Sequence, residues 1–316
     1  MINKPAVLTQ NVRDGLVEEE HYGFLIYANR NKIIKKYGED NDYPFFLRSC
    51  AKPLQASLIF DYGLDKKFNM SDEEIAICSG SHTGEEIHEK VIKTFLDKIG
   101  LSENFLKCGI HEPLSKSRQK NMIQKCENPT AIHNNCSGKH SMMLALCVLN
   151  GWDIYTYDDI NHPLQKVIKE KIYQLCEVNS TYPITKDGCG VPIFSMPLYN
   201  MLKGYFNLLF DEKYSRLTKA ILNQPYIFGG ENRTDTKIIQ MSSKNIICKT
   251  GACGLFITVD LEHKDGFVVK ISDSNMSARE VVVIDFLKYL NRVIIPYDYS
   301  IKTIHNDVVG KIQTKF

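Results

Sequence analysis

The sequence predicts an α+β fold, in which strands from the two ends of the chain form one antiparallel sheet and helices from its middle pack on that sheet. Three observations predict it. Residues 22–37, "YGFLIYANRNKIIKKY", place aromatic and β-branched residues on both sides of a turn-like "NRNK", which reads as a hairpin. Apolar residues then recur at helical spacing through the middle of the chain. Late in the chain "NIICKTGACGLFITVDL" and "DGFVVKISD" read as adjacent strands, followed by "MSAREVVVIDFLKYLNRVI" as a closing amphipathic helix. Terminal strands around a helical middle are most simply joined in a single sheet.

In "LRSCAKPLQA", Pro53 is decisive for the first helix. Proline costs about 3 kcal/mol in a helix interior but is tolerated in the first turn, where the leading N–H groups lack partners. The helix implied by "KPLQASLIFDYG" therefore begins near Ser49. Ser71 with Glu74 has the spacing of a capping box, and Gly84 introduces a longer amphipathic helix that ends at Gly100. Further helices are predicted at about 115–126, 138–150, 161–178, 193–204 and 211–222. With no internal repeat, low-complexity stretch or linker, the reading is a single domain over residues 1–316 with a helical insertion at about 84–225.

Composition narrows the function. Apolar residues make up 43% of the 316 residues and charged residues 24%, both ordinary for a globular protein. A formal charge of +2 gives no general attraction to nucleic acid or to acidic membranes, so neither is expected as a partner. The N-terminus lacks the apolar stretch of a secretory signal, and no segment approaches the roughly 18 apolar residues of a membrane span; the expected location is cytoplasmic. Ten cysteines are spread without dense spacing, several of them in apolar runs such as "EEIAICSG", which reads as buried free thiols rather than five disulfides. Cys136 in "HNNCSGKH" and Cys189 in "KDGCGVP" differ, because they lie among glycines and polar residues.

Several groups have the chemistry of a hydrolase. At the head of a helix, residues three apart share a face, which brings the Ser49 hydroxyl within reach of the Lys52 amine as a nucleophile beside a base. Taken alone, Ser-x-x-Lys is a weak signal that also fits a helix cap with a solvated lysine. "SGSHTGE" adds Ser79, Ser81, His82 and Thr83 in a glycine-flanked loop before a helix, where hydroxyls and N–H groups can converge on a carbonyl. "KTG", residues 249–251, puts Lys249 at the end of a strand and Gly251 where a substrate can approach the backbone. Cys136 precedes Lys139 by three residues, and Asp187 lies just ahead of Cys189. Spacing by itself favours free thiols over zinc here, since Cys-x-x-Cys is absent.

Together, "GLVEEEHYGFLIYA", "LRSCAKPLQA", "SGSHTGE", "HNNCSGKHSMML", "DGCGVPIFSMPL" and "KTGACG" resemble, in order and context, the type II L-asparaginases of the Rhizobium etli kind, from about residue 12 to about residue 290. The resemblance implies a β-lactamase/glutaminase-like fold, a homodimer, and hydrolysis of L-asparagine to L-aspartate and ammonia. It also implies site residues. Ser49 with Lys52 and Ser81 with Lys249 are the two catalytic Ser-Lys pairs, with Lys270 of "VVKISD" as a rival for the second lysine. Cys136, Lys139 and Cys189 are the implied ligands of an accessory zinc ion, and His21, Arg48, His82, Asn134, Asn135, Asp187 and Lys270 the implied substrate-binding residues. The chain departs from the family where members tend to carry Glu in place of Cys253 and Asp-Gly in place of Asp273-Ser274.

A lysine can act as base only when its amine is neutral, so Lys52 must have a depressed pKa, and burial, a helix start and a second lysine all push that way. The expected course is attack by Ser49 on the side-chain amide carbon, proton transfer to Lys52, loss of ammonia, and hydrolysis of the acyl-enzyme by water. Two alternatives compete. One is a Ser-Lys hydrolase of L-glutamine or another small amide, since one methylene changes discrimination by only about 1–3 kcal/mol. The other is a catalytically silent, zinc-containing small-molecule-binding protein on the same fold.

Overall fold

The computed structural model describes residues 3–316. Its strands are β1 (Ala6–Arg13), β2 (Leu16–Asn29), β3 (Ile33–Tyr37), β4 (Phe45–Phe46), β5 (Ile184–Lys186), β6 (Pro192–Met196), β7 (Ile246–Thr250), β8 (Leu255–Asp260), β9 (Asp265–Ile271), β10 (Ser300–Lys302) and β11 (Val308–Thr314). Its helices are α1 (Ala51–Ala56), α2 (Leu58–Asp61), α3 (Leu64–Lys67), α4 (Asp72–Ser79), α5 (Glu86–Lys98), α6 (Lys116–Gln124), α7 (Ser137–Asn150), α8 (Pro163–Leu175), α9 (Leu198–Leu209), α10 (Ser215–Asn223), α11 (Pro225–Phe228), α12 (Thr234–Met241) and α13 (Met276–Tyr289).

One antiparallel sheet runs in the order β10-β11-β1-β2-β9-β8-β7, with β3 also paired to β2. The α+β class and the sheet shared between the two ends of the chain are as the sequence predicts. The 14-residue strand β2 joins them, because one edge of it serves two partners. Its exposed first half pairs with β1, its buried second half pairs with β3, and β9 lies along the other edge, opposite Gly23 to Asn29. β7, β8 and β9 are fully apolar-buried or nearly so, as expected of strands covered on both faces.

Helices α1 to α12 and the three-stranded sheet β4-β6-β5 fill the chain between β3 and β7. The capping box forms as the sequence indicates: the Ser71 hydroxyl accepts from the Glu74 N–H and the Glu74 carboxylate accepts from the Ser71 N–H. The helix expected at about 193–204 is instead two elements. "PIFSM" is a buried strand between β4 and β5, and Pro197 separates it from α9, because proline cannot donate the next ladder bond but starts a helix readily. Strands β1, β10 and β11 and helices α11 and α12 carry no distinct sequence signal. β11 pairs with β1 to extend the sheet beyond the predicted strands.

Candidate active site

A 3-10 turn over Arg48–Cys50 runs directly into α1, so Ser49 sits just ahead of the helix and both Lys52 and Pro53 lie in its first turn. The entry is sharply bent. Arg48 has a φ of +47°, a conformation costly for a residue with a Cβ and kept only where surroundings fix it. Those surroundings are explicit: Arg48 Nε donates to Asp187 Oδ1 at 2.9 Å and Nη1 donates to Cys253 Sγ at 2.9 Å. The Leu47 N–H, one residue earlier, donates to the Phe194 carbonyl.

Lys52 does not hydrogen-bond to Ser49. Its Nζ reaches across to Ser81 Oγ at 2.9 Å and to the Asn135 carbonyl at 2.8 Å, and it also contacts the Cys136 thiol. The Ser49 hydroxyl, half-buried on the same turn, makes no hydrogen bond among the described residues. The long lysine stem explains the difference: it bridges to neighbouring elements packed on α1 instead of folding back along its own turn. Ser81 is brought there by a close approach of backbones. At Gly80 an added Cβ would lie 2.2 Å from the Phe228 carbonyl oxygen, and the same carbonyl accepts from the Ser81 N–H at 2.9 Å. Lys52 is 1% and Ser81 2% exposed, so this pair is dry. Burial pushes the Lys52 pKa down, and the nearby Lys139 ammonium adds to the push, against the thiols of Cys136 and Cys189.

Lys249, at the end of β7, is fully buried. Its Nζ donates to the Thr250 carbonyl at 3.0 Å, lies 3.6 Å from Asp235 Oδ2 and stands 5.3 Å from the centre of the Phe228 ring. Burial lowers its pKa to about 8, with the Lys52 charge adding to that and Asp235 opposing it. Phe228 therefore links the two lysines, its carbonyl holding Ser81 and its ring lying beside Lys249. Lys270 lies elsewhere, with Nζ donating to the Ile271 carbonyl at 2.6 Å and with Cys253 and Asp273 as its charged or polar neighbours.

A second cluster abuts the first. Cys136 caps α7, Lys139 lies on its first turn, and Cys189 follows Asp187 in a tight turn closed by the Gly190 N–H on the Asp187 carbonyl. Lys139 Nζ donates to Cys189 Sγ at 2.9 Å, Cys136 Sγ donates to Asn135 Oδ1 at 3.3 Å, and the two thiols hydrogen-bond each other. That bond pushes the Cys136 pKa down and the Cys189 pKa up. Burial opposes the Lys139 charge, but the two sulfurs outweigh it and push its pKa up. Two thiols and an amine, all buried and mutually in contact, are a donor set suited to zinc. Among the described residues no group of three or more His, Cys, Asp or Glu side chains could hold a metal. All ten cysteines are free, eight of them buried.

The remaining predicted residues divide. Arg48 and Asp187 are joined beside Ser49, and His21 Nδ1 bonds Asp273 Oδ2 at 2.6 Å near Lys270. Asn135 serves Lys52 through its carbonyl and Cys136 through its side chain. His82 is fully buried with both ring nitrogens used: Nδ1 accepts from the Gly84 N–H and Nε2 bonds Ser137 Oγ. The Asn134 side chain likewise is spent on the loop that carries Cys136, donating to the Cys108 and Gly109 carbonyls and accepting from the Cys136 N–H. Two residues next to the site had no signal strong enough to single out: Asp235, fully buried, and Arg233, whose Nε is 3.6 Å from Asp235 Oδ1. "NRTDT" before a helix reads equally well as an exposed cap.

A family model described as L-asparaginase II matches residues 9–312. Among solved structures the chain is similar to a β-lactamase from Mycobacterium bovis, with 10% identity, a TM-score of 0.45, and coverage of 86% of this chain and 95% of that one. It is also similar to a provisionally assigned β-lactamase of Bacteroides dorei, with 10% identity, a TM-score of 0.42, and coverage of 79% and 84%. No curated protein matches.

Proposed function

The chain belongs to the L-asparaginase II family and is an amidohydrolase, and from that premise we propose that it splits the side-chain amide of L-asparagine into L-aspartate and ammonia through a serine acyl-enzyme. The observation that carries the Ser-Lys reading is the buried contact of 2.9 Å between Lys52 Nζ and Ser81 Oγ. Buried and beside another cation, the Lys52 amine has a lowered pKa, as a general base requires.

In this reading Ser49 attacks the amide carbon. Its hydroxyl has no competing hydrogen bond among the described residues, it is half-buried next to Arg48, which bonds Asp187 and the exposed Cys253, and Lys52 lies three residues on, in the first turn of α1. Lys52 takes the serine proton and returns it to the leaving nitrogen, which departs as ammonia; water, deprotonated by the same amine, then hydrolyses the ester. Lys249 supplies positive charge behind the reacting centre, and the Ser49 backbone N–H with a second N–H from the strand after "KTG" stabilises the oxyanion, each such donor worth about 2.7–4 kcal/mol. A second reading is favoured by the same contact: Ser81, already touching Lys52, is the acylated serine and Ser49 positions substrate. Trapping the acyl-enzyme and locating the modified serine by peptide mass spectrometry decides between them.

Cys136, Lys139 and Cys189 would hold zinc. When bound, the ion supplies a fixed positive charge that orients a polar group of the substrate. The chain's own residues carry the proton transfers. Ammonia release from L-asparagine and L-glutamine by the purified protein tests the proposal; no release from either amide defeats it, and preference for glutamine moves the substrate by one methylene.

No helix among the described residues is long and apolar enough to cross a membrane.

A further inference from the structure

Resting on the Ser-Lys reading, we infer that Asp235 is the positioning residue for Lys249: its buried carboxylate anchors the amine at the end of β7 and keeps it as the cationic member of the site. The geometry is specific. Asp235 opens α12 and is fully buried, as is Lys249, and the two side chains approach to 3.6 Å. The same Oδ2 accepts from the Thr250 N–H at 3.2 Å, so the carboxylate grips both the lysine side chain and the backbone of the next residue. Oδ1 accepts from the Thr236 N–H and lies 3.6 Å from Arg233 Nε.

A fully buried carboxylate with one buried lysine and one arginine is expensive to desolvate, and replacing the whole set by well-packed apolar residues is often neutral for stability, whereas removing the carboxylate alone leaves buried cations unpaired. Its place between a strand-end lysine and the backbone of "KTG" points to control of that lysine. The charged and titratable groups around Lys249 are Asp235 and Arg233 at the start of α12, Lys52 on α1, Cys50 in the entry turn, Cys248 on β7, and Arg279 with Glu280 on α13. Lys52 and Arg233 oppose a charge on Lys249, and Asp235 heads the groups that favour one. Burial acts on Asp235 to raise its pKa, yet Arg233, Lys249 and the Thr250 bonds outweigh this and hold it at about 2, so the carboxylate is charged throughout the working range. The ionised Asp235 carboxylate therefore favours the charged form of the Lys249 amine that it faces.

The test is Asp235→Asn, which is nearly isosteric, removes the charge and turns one of the two accepting oxygens into an amide donor. The expected result is a folded protein whose alkaline limb of kcat/KM moves down by at least one pH unit, with kcat near pH 7.5 falling at least tenfold and KM changing less than threefold. A folded Asp235→Asn protein whose limb does not move overturns the inference. Should that variant not fold, Asp235→Glu decides: displacing the charge by one methylene moves the limb by at least half a unit if the carboxylate holds the amine, and an unmoved limb again overturns it. The titration of Lys249, read by NMR of Nζ-labelled lysine, must fall in parallel. Because that titration needs no turnover, it separates failure of this inference from failure of the amidase reading, which ammonia release from the wild type tests alone.

Discussion

Lys52 Nζ and Ser81 Oγ, 29 residues apart in the chain, lie 2.9 Å apart in a site closed to solvent. A neutral amine in this place donates to the Asn135 carbonyl and has a lone pair left for a serine proton. Lys52→Met keeps much of the buried volume and removes that lone pair. It is expected to lower kcat by about 10²–10⁴, the usual share of a general base, with the fold intact by circular dichroism.

Ser49→Ala is expected to abolish acyl-enzyme formation, and Ser81→Ala to slow turnover by disturbing the Lys52 amine while still allowing acylation. Single-turnover quench with mass detection distinguishes the two. Acylation of the Ser49→Ala protein would make Ser81 the nucleophile.

Lys249 also leaves a mark on stability. Its folded pKa of about 8 lies below its ordinary 10.5, so between those values the unfolded chain binds the extra proton and stability rises with pH across that window. Urea unfolding of the wild type should therefore show a component rising between about pH 8 and about pH 10.5 that Lys249→Met lacks. Equal slopes in the two proteins would mean that Lys249 is not depressed.

Chelation, and separately Cys136→Ser or Lys139→Met, is expected to remove bound zinc, read as metal per chain by elemental analysis. Activity should fall but persist in each case, because Ser49, Lys52, Ser81 and Lys249 remain. Complete loss on chelation, restored by zinc, would make the ion essential.

Gly138 carries a packing prediction. A Cβ there would lie 2.4 Å from the Ile77 carbonyl oxygen, where α7 crosses α4. Gly138→Ala is expected to cost about 1–3 kcal/mol through backbone displacement, measured as a drop in the urea midpoint. The shift would also disturb the flanking Lys139.

Much of the fold was legible because its signals are local. The Ser71–Glu74 capping box, the hairpin around "NRNK" and the apolar strands of residues 246–271 each specify themselves within a few residues. The segment at 193–204 reads as one helix in the sequence because a short apolar run looks the same in a buried strand and a helix, and only pairing with β4 and β5 resolves it. β10 and β11 escaped notice because their half-exposed residues become strand only beside β1.

What the sequence determined by itself was the α+β class, the start of the first helix, and which serines, lysines and cysteines stand where chemistry is possible, since these depend on spacing and on the preferences of single residues. Only the tertiary structure decided who meets whom. Lys52 faces Ser81 and not Ser49, His82 and Asn134 are spent on holding loops, and Asp235 reaches Lys249. Those contacts join residues far apart in the chain, up to 55 positions for His82 with Ser137, and they are set by the backbone approach at Gly80, the packing of α1, α4 and α7, and the burial of β7. A long side chain in a dry interior goes to the polar partner that packing puts within reach, and no spacing along the chain encodes that choice.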